Sequence, residues 1–424
     1  MPLSVLAVIL SGVSCSLTAR DAVEAPRYRS RHPYRQNLST NALDSSTAST
    51  TNPRNARLPD TTPLRILIAG GGTGGHVIPA LAIARELRDA HAAEVKFVGT
   101  ARGLETRLVP EAGFPLELIH VGQLKNVSLL TRARTLTDLP RGILRCISLL
   151  RSYQPHVVVG VGGYASGPAM MAALLLRIPT LAFEPNAAPG LANRLVGRYV
   201  SAAAVNFDET RRYFRNAKVT GIPVRPAFFE LQPKPPSPAK RLLVFGGSQG
   251  ARILNEILPQ ILFPLLRDTP GLTVLHQSGP RAEAATRQDY LDTGADESRW
   301  QVSAYLDDMP ARFADADLIL CRSGASTMAE LAAAGKPSLL VPFAAATDDH
   351  QRKNAEAFVA ARAARMLLES ELAPQRLLDT LRDLLTDPAT LASMSAQART
   401  LAHPTAVQTI AQMIRTLAGP SKGR

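Results

Sequence analysis

The chain has 424 residues, 46% of them hydrophobic and 5% aromatic, with 48 Lys and Arg against 35 Asp and Glu for a net charge of +13. That length accommodates two domains with full cores. A single tryptophan leaves no base-stacking platform, so no nucleic-acid partner is expected, and the positive balance reads as attraction to another anion (polyphosphate or phospholipid) or as an arginine-rich coding bias.

Residues 1–63 stand apart. Pro2 to Leu17 resembles the apolar part of a short secretory signal with no positive charge before it, and the sequence that follows is rich in Ser, Thr, Asn, Arg and Pro without periodicity. A disordered leader or a mis-called start is expected there, ahead of a secretory signal. From Leu64 short apolar runs alternate with helical patterns. Strands are expected over Arg65–Ala69, Val95–Gly99, Leu116–Val121, His156–Val161, Pro179–Phe183 and Ala202–Asn206, with helices such as Pro79–His91 between them. Leu231 to Lys240 is too proline-dense for helix or central strand and reads as an interdomain connection. The pattern restarts at Arg241 and continues through Leu272–Gln277, Trp300–Ala304, Asp317–Cys321, Pro337–Val341 and Arg365–Leu368. A last helix, from Thr405 to Leu417, can pack on either half. Apolar strands alternating with helices indicate parallel sheet covered on both faces. The expected class is therefore α/β: two doubly wound, Rossmann-like domains facing a cleft, at 64–225 and 241–404, joined by 226–240 and followed by a helix and tail at 405–424.

Cys15, Cys146 and Cys321 are far apart and form no CxxC pair, which disfavours a disulfide framework or zinc site and suits a reducing compartment. Ala169 to Phe183, the run nearest to a membrane span, is broken by Arg177 and Pro179.

Both halves begin with a strand that ends in glycines, Arg65-Ile-Leu-Ile-Ala-Gly-Gly-Gly-Thr-Gly-Gly-His76 and Arg241-Leu-Leu-Val-Phe-Gly-Gly-Ser-Gln-Gly-Ala251. Gly70, Gly72 and Gly75 satisfy GxGxxG, yet the second strand ends Val95-Lys-Phe-Val-Gly-Thr100 without the acid that would hold a dinucleotide ribose, so NAD is disfavoured. Neither turn carries GKT or GKS, which disfavours an ATPase. What remains is two helix N-termini offering amides to anions. Cys321-Arg-Ser-Gly-Ala-Ser-Thr-Met-Ala-Glu330 reads as a third, with Arg322, Ser323 and Thr327 about the helix start and Glu330 one turn in, where a carboxylate can accept ribose hydroxyls. The plainer alternative is a Ser323 N-cap with a dipole-friendly Glu330. His76 stands where a helix begins; that end disfavours imidazolium, and a neutral imidazole is what a general base needs. Its alternative is a capping or core histidine. Asp348-Asp-His-Gln351 suits hydrogen bonding to sugar hydroxyls, or a solvated loop; no second His/Cys cluster supports a metal there.

Taken together, GGTGGH at Gly71–His76, GGYASGP at Gly162–Pro168, GIPVR at Gly221–Arg225, GGSQGA at Gly246–Ala251, DDM at Asp307–Met309, RSGAST at Arg322–Thr327 and DDHQ at Asp348–Gln351 resemble, in order, the MurG family of bacterial peptidoglycan glycosyltransferases. The resemblance covers Leu64 to the C-terminus. It implies a glycosyltransferase B fold and transfer of N-acetylglucosamine from UDP-N-acetylglucosamine to undecaprenyl-diphospho-muramoylpentapeptide, the lipid I to lipid II step, at the cytoplasmic face of the cell membrane. By motif, Thr73, Gly74, Gly75 and Asn186 would meet the donor from the N-terminal side, and Arg225 and Ser248 would face its diphosphate. The Leu306 backbone would read the uracil edge. Ala325, Ser326 and Thr327 would hold the phosphate, with Met328 and Ala329 completing the binding stretch and Glu330 on the ribose. Gln351, with His350, would contact the sugar hydroxyls. His76 becomes the candidate base, with Glu184 as a second catalytic candidate and Tyr164 beside it on the acceptor side. Phe183-Glu-Pro-Asn186 departs from the family's usual His-Glu-Gln-Asn, and Gly122-Gln-Leu-Lys-Asn126 matches its acceptor loop only loosely.

The mechanism implied is a single inverting displacement, with the departing diphosphate stabilised by helix N-termini and Arg225; neither metal nor cofactor is expected. A UDP-sugar epimerase on the same architecture and a non-catalytic donor-binding module are the alternatives. Leu129, Leu130, Leu139, Ile143, Leu144 and Leu149 are interleaved with Arg132, Arg134, Arg141, Arg145 and Arg151, which suits either an anionic membrane surface or a helix packed inward.

Overall fold

The computed structural model describes residues 63–120, 129–233, 237 and 239–419. The leader reading, but for Pro63, and the Gly122–Asn126 loop lie outside them. The first sheet has seven parallel strands in the order β3-β2-β1-β4-β5-β6-β7: β1 Arg65–Gly70, β2 Glu94–Gly99, β3 Leu116–Leu118, β4 Val157–Gly162, β5 Thr180–Glu184, β6 Ala202–Val205 and β7 Ala217–Val219. The second has six, β10-β9-β8-β11-β12-β13: β8 Arg241–Phe245, β9 Thr273–Gln277, β10 Trp300–Ser303, β11 Leu318–Cys321, β12 Ser338–Leu340 and β13 Ala364–Met366. Each is a doubly wound sheet whose chain order reverses beside its first strand, at β1/β4 and at β8/β11, and a crevice opens at such a reversal.

Central strands are apolar throughout because helices cover both faces. Ile66, Leu67, Ile68 and Ala69 of β1 and Val157, Val158 and Val159 of β4 are all fully buried. The short edge strand β7 was not expected from the sequence; its middle residue, Lys218, is exposed, so no apolar run announces it.

Two features depart from a simple division at 226–240. Pro226–Phe229 is a short helix whose Phe228 is fully buried, its ring edge-on to Phe313 at 5.1 Å, within the core of the second domain. One aromatic side chain with a socket thus ties down the start of a proline-rich connection. The last helix, Ala406–Ala418, crosses back to the first domain: Ile410, Ala411 and Ile414 are fully buried against Val77, Leu81 and Ala84 of the helix Gly74–His91.

Candidate active site

β1 ends at Gly70, Gly71 and Gly72 form the turn, and α1 (Gly74–His91) starts immediately after with Thr73 as its N-cap. The turn lies against the end of β4, where the Gly71 N–H donates to the Gly162 carbonyl at 3.3 Å. A Cβ on Gly70 would strike that carbonyl, one on Gly163 the Gly71 carbonyl, and one on Gly162 would stand 2.9 Å from His76 Nε2. Gly162 and Gly163 have φ of +93° and +82°, where side chains are disfavoured. The GGTGGH and GGYASGP motifs are thus two halves of one backbone-to-backbone contact that seats the His76 ring. The ring is half-buried, and its Nδ1 is sealed from solvent without a well-formed hydrogen bond. Burial holds its pKa below the ordinary histidine value; the Gly71 backbone pulls upward, the charge of His350 downward and that of Glu105 upward. The direction is the one expected from the sequence, but desolvation is the leading cause.

The second glycine turn repeats the device against the other neighbouring strand. A Cβ on Gly250 would strike the Ser278 carbonyl and one on Gly279 the Gln249 carbonyl, with both residues at positive φ. Gln277 Nε2 donates to the Gly247 carbonyl at 2.9 Å, and Ser248 stands exposed at the tip. Nearby, the buried Leu306 side chain anchors the chain before the Asp308-capped helix Met309–Asp315.

The helix Ala325–Ala334 begins where β11 ends, with Gly324 as its N-cap. Its first-turn amides face no partner within the helix. Ser326 Oγ is buried without a hydrogen-bond partner, Thr327 and Ala329 are half-buried, and Met328 is fully buried. Ala325 and Ala329 pack against the core of the first domain, so this end of the helix sits at the junction of the two. Glu330 lies 3.9 Å from Arg225 at the end of the first domain; burial pushes its carboxyl up to about 7 against the pull of that arginine, although a quarter of the side chain still meets solvent.

Two expectations need correction. Arg322 does not reach the helix start: it donates to the Val341 and Pro342 carbonyls, pairs with Glu369 and lies over the Phe343 ring. Only 11% of its side chain is exposed, because it ties the end of β11 to the loop after β12 and to Glu369. Ser323 is not the N-cap either; its hydroxyl donates to the Gln351 carbonyl at 2.8 Å.

Glu184 is also placed differently from a group that lines an open site. It is 2% exposed, and its carboxylate accepts from Asn186 N and Nδ2, Gly190 N and Asn193 Nδ2 at 3.0 to 3.2 Å. Burial raises its pKa while these donors, Asn193 foremost, oppose the rise. It therefore acts on the loop that carries Asn186. That loop is clasped from the other domain by the fully buried Asn354 of the helix His350–Ala360, whose Oδ1 accepts from Ala187 N at 2.8 Å and whose Nδ2 donates to Asn186 Oδ1 and the Ser323 carbonyl. His350 opens the same helix, and Gln351 is oriented by accepting from Phe343 N at 3.1 Å. Thr73 and Tyr164 are exposed and Gly74 and Gly75 half-buried at the rim.

Glycosyltransferase family 28 matches twice, its N-terminal domain over residues 66–205 and its C-terminal domain over 241–410. A protein of Anaeromyxobacter sp. (strain Fw109-5), named UDP-N-acetylglucosamine--N-acetylmuramyl-(pentapeptide) pyrophosphoryl-undecaprenol N-acetylglucosamine transferase, is 44% identical over 84% of this chain and 93% of its own. One of the same name from Solibacter usitatus is 43% identical over 85% and 98%. The crystal structure of Acinetobacter baumannii MurG superposes with a TM-score of 0.72 at 30% identity, covering 84% of this chain and all of that one. The chain belongs to the MurG family.

Within this MurG frame, Glu105, Asn193 and Asn354 are the residues that reading the sequence missed. Each sits in a helix beside other polar residues that stay at the surface, and only folding brings it beneath a loop. Gly71, Gly99 and Gly103, which make room for Glu105, are its one trace in the sequence.

Proposed function

We propose that this protein transfers N-acetylglucosamine from UDP-N-acetylglucosamine to the 4-hydroxyl of a lipid-linked muramoyl-pentapeptide. The observation that carries the reading is geometric: the GGTGGH and GGYASGP turns seat His76 on the first domain, and Asn354 of the DDHQ helix clasps the Asn186 loop of that same domain from the second. On this reading a base on one lobe faces sugar-binding groups on the other. The names borne by relatives at 43–44% identity supply the substrates.

His76, kept neutral by burial, takes the proton of the acceptor hydroxyl as its oxygen attacks the anomeric carbon and UDP leaves from the opposite face, inverting that centre. Amides of Ala325, Ser326 and Thr327, with Arg225 and Ser248, receive the negative charge on the diphosphate. Glu330 accepts from the ribose, the Leu306 backbone meets the uracil, and His350 and Gln351 hold the sugar. Thr73, Gly74, Gly75 and Asn186 close on the donor from the first domain, while Tyr164 borders the acceptor. Glu184 serves by holding the Asn186 loop.

The acceptor's lipid places the reaction at an anionic membrane surface on the cytoplasmic face. No helix among the described residues is long and apolar enough to cross a membrane. On the helix Leu129–Tyr153, Cys146, Leu150 and Tyr153 point inward, with Ile143 and Leu149 packed beside them, while Leu144 is 64% exposed between Arg141 and Arg145. This outer face suits a peripheral contact; the Leu129 to Thr137 side chains lie outside the described set.

The test is incubation with UDP-N-acetylglucosamine and the lipid-linked acceptor, presented in vesicles with or without anionic lipid. Disaccharide product and free UDP are expected, faster on anionic vesicles. Conversion of the donor with no acceptor present would instead indicate an epimerase, and binding without turnover a donor-binding module.

A further inference from the structure

Beneath the first glycine turn lies a carboxylate that the mechanism above does not use. Glu105, the first residue of the helix Glu105–Glu111, is 1% exposed. Its Oε2 accepts from Gly72 N at 2.7 Å, and its Oε1 from Thr100 N and Oγ1, both at 3.0 Å. Space for it is left by glycines: a Cβ on Gly71 or Gly103 would collide with the carboxylate, and one on Gly99 would lie 2.6 Å from its Cγ. Three separate positions therefore forgo a side chain around one acid. A surface acid drawn to a helix start needs no such cradle, and a buried charge is costly unless its surroundings are built to hold it.

The turn that Glu105 grips is the one that seats His76. Gly72 N–H bonds to the carboxylate, while the neighbouring Gly71 lies against both the carboxylate and, through its backbone, the imidazole. The charged groups that face the ring are Glu105 and, from the DDHQ helix, His350, and they act in opposite directions; β4 contributes Gly162, which has no charge.

We propose that Glu105 is a positioning residue for the His76 base: its buried carboxylate fixes the glycine turn that carries the imidazole and supplies the negative charge that steadies the imidazolium formed during transfer. The proposal rests on the reading of His76 as base. The proton passes from the acceptor oxygen to the imidazole, and Glu105 neither gives nor takes it. The arrangement divides labour, since burial keeps the resting ring neutral and the carboxylate limits the cost of protonating it.

The test uses the full chain with Glu105→Gln and Glu105→Asp, and two readouts. The first is an NMR titration of the His76 ring in ligand-free protein, its resonance assigned by its loss in His76→Ala. The second is the pH profile of kcat alongside the donor KM. Losing the negative charge makes the ring harder to protonate, so Glu105→Gln is expected to lower the His76 midpoint. The acid limb of kcat moves down with it, and kcat at its plateau falls about threefold to tenfold because the base is weaker. Donor KM stays near wild type. Glu105→Asp, which keeps the charge but withdraws it by one methylene, gives a smaller shift in the same direction. A folded Glu105→Gln whose His76 titrates as in wild type overturns the proposal. Should that variant not fold, an unshifted midpoint in folded Glu105→Asp overturns it. The titration needs no turnover, so a wild-type protein without transferase activity would sink the functional reading while leaving the His76–Glu105 coupling measured.

Discussion

At the scale of single residues, chemistry depends on groups whose protonation is set by burial. His76→Ala should lower turnover ~100-fold or more if the imidazole removes the acceptor proton, with little change in donor KM; stopped-assay rates at saturating donor check this. Glu330 makes a second prediction through pH. Its carboxyl is pushed up to about 7, so it is ionised above that pH and neutral below it. A ribose diol donates to the ionised form more strongly, so affinity for UDP-N-acetylglucosamine should fall as pH drops through 7. Calorimetry at pH 8 and pH 6 should show weakening of about tenfold, within the range for a hydrogen bond to a charged group, and Glu330→Gln should flatten the dependence. The same scale shows where reading residues by type fails. Arg322 and Glu330 are equally plausible ligand groups in a run of ten residues, yet one is spent on two carbonyls and Glu369 while the other sits at the domain junction. Which way a long side chain turns depends on what folds beside it.

At the scale of elements, the glycine turns are contact surfaces as well as loops. Gly162→Ala would place a methyl 2.9 Å from His76 Nε2 at a φ of +93°. The backbone strain alone is worth about 1–3 kcal/mol, and the displaced ring should cost activity beyond any loss of stability. Gly294→Ala provides the control: its φ is +69°, but nothing lies within 4 Å of the added methyl. Comparing melting temperature and kcat for both should show destabilisation in each and a loss of kcat in Gly162→Ala alone. Most strands were readable to within a residue or two (the one expected over Leu116–Val121 stops at Leu118), because parallel strands covered on both faces are continuous apolar runs. Val157–Gly162 and Arg241–Phe245 are examples. The edge strand Ala217–Val219 was not, since an exposed lysine interrupts three residues.

At the scale of the whole molecule, the two domains are joined by more than their connection. Asn354 clasps the Asn186 loop across the junction, Arg225 approaches Glu330, and the last helix returns to the first domain. Ile410→Ala with Ile414→Ala removes two fully buried side chains from that return. Each such truncation costs about 2–5 kcal/mol. Hydrogen exchange should therefore quicken in Gly74–His91 and the strands beneath it and stay unchanged in Arg241–Phe245, although both substitutions lie at the far end of the chain.

The sequence by itself determined the doubly wound sheets, the two glycine turns and the family, because periodicity and short motifs are local properties carried by neighbours in the chain. Only the tertiary structure decided which domain receives the last helix, that Glu184 and Arg322 face inward, and that Glu105 holds the first glycine turn and Asn354 the Asn186 loop. Those outcomes rest on partners tens to hundreds of residues away, and a polar side chain bears no mark of its partner until the chain has folded around both.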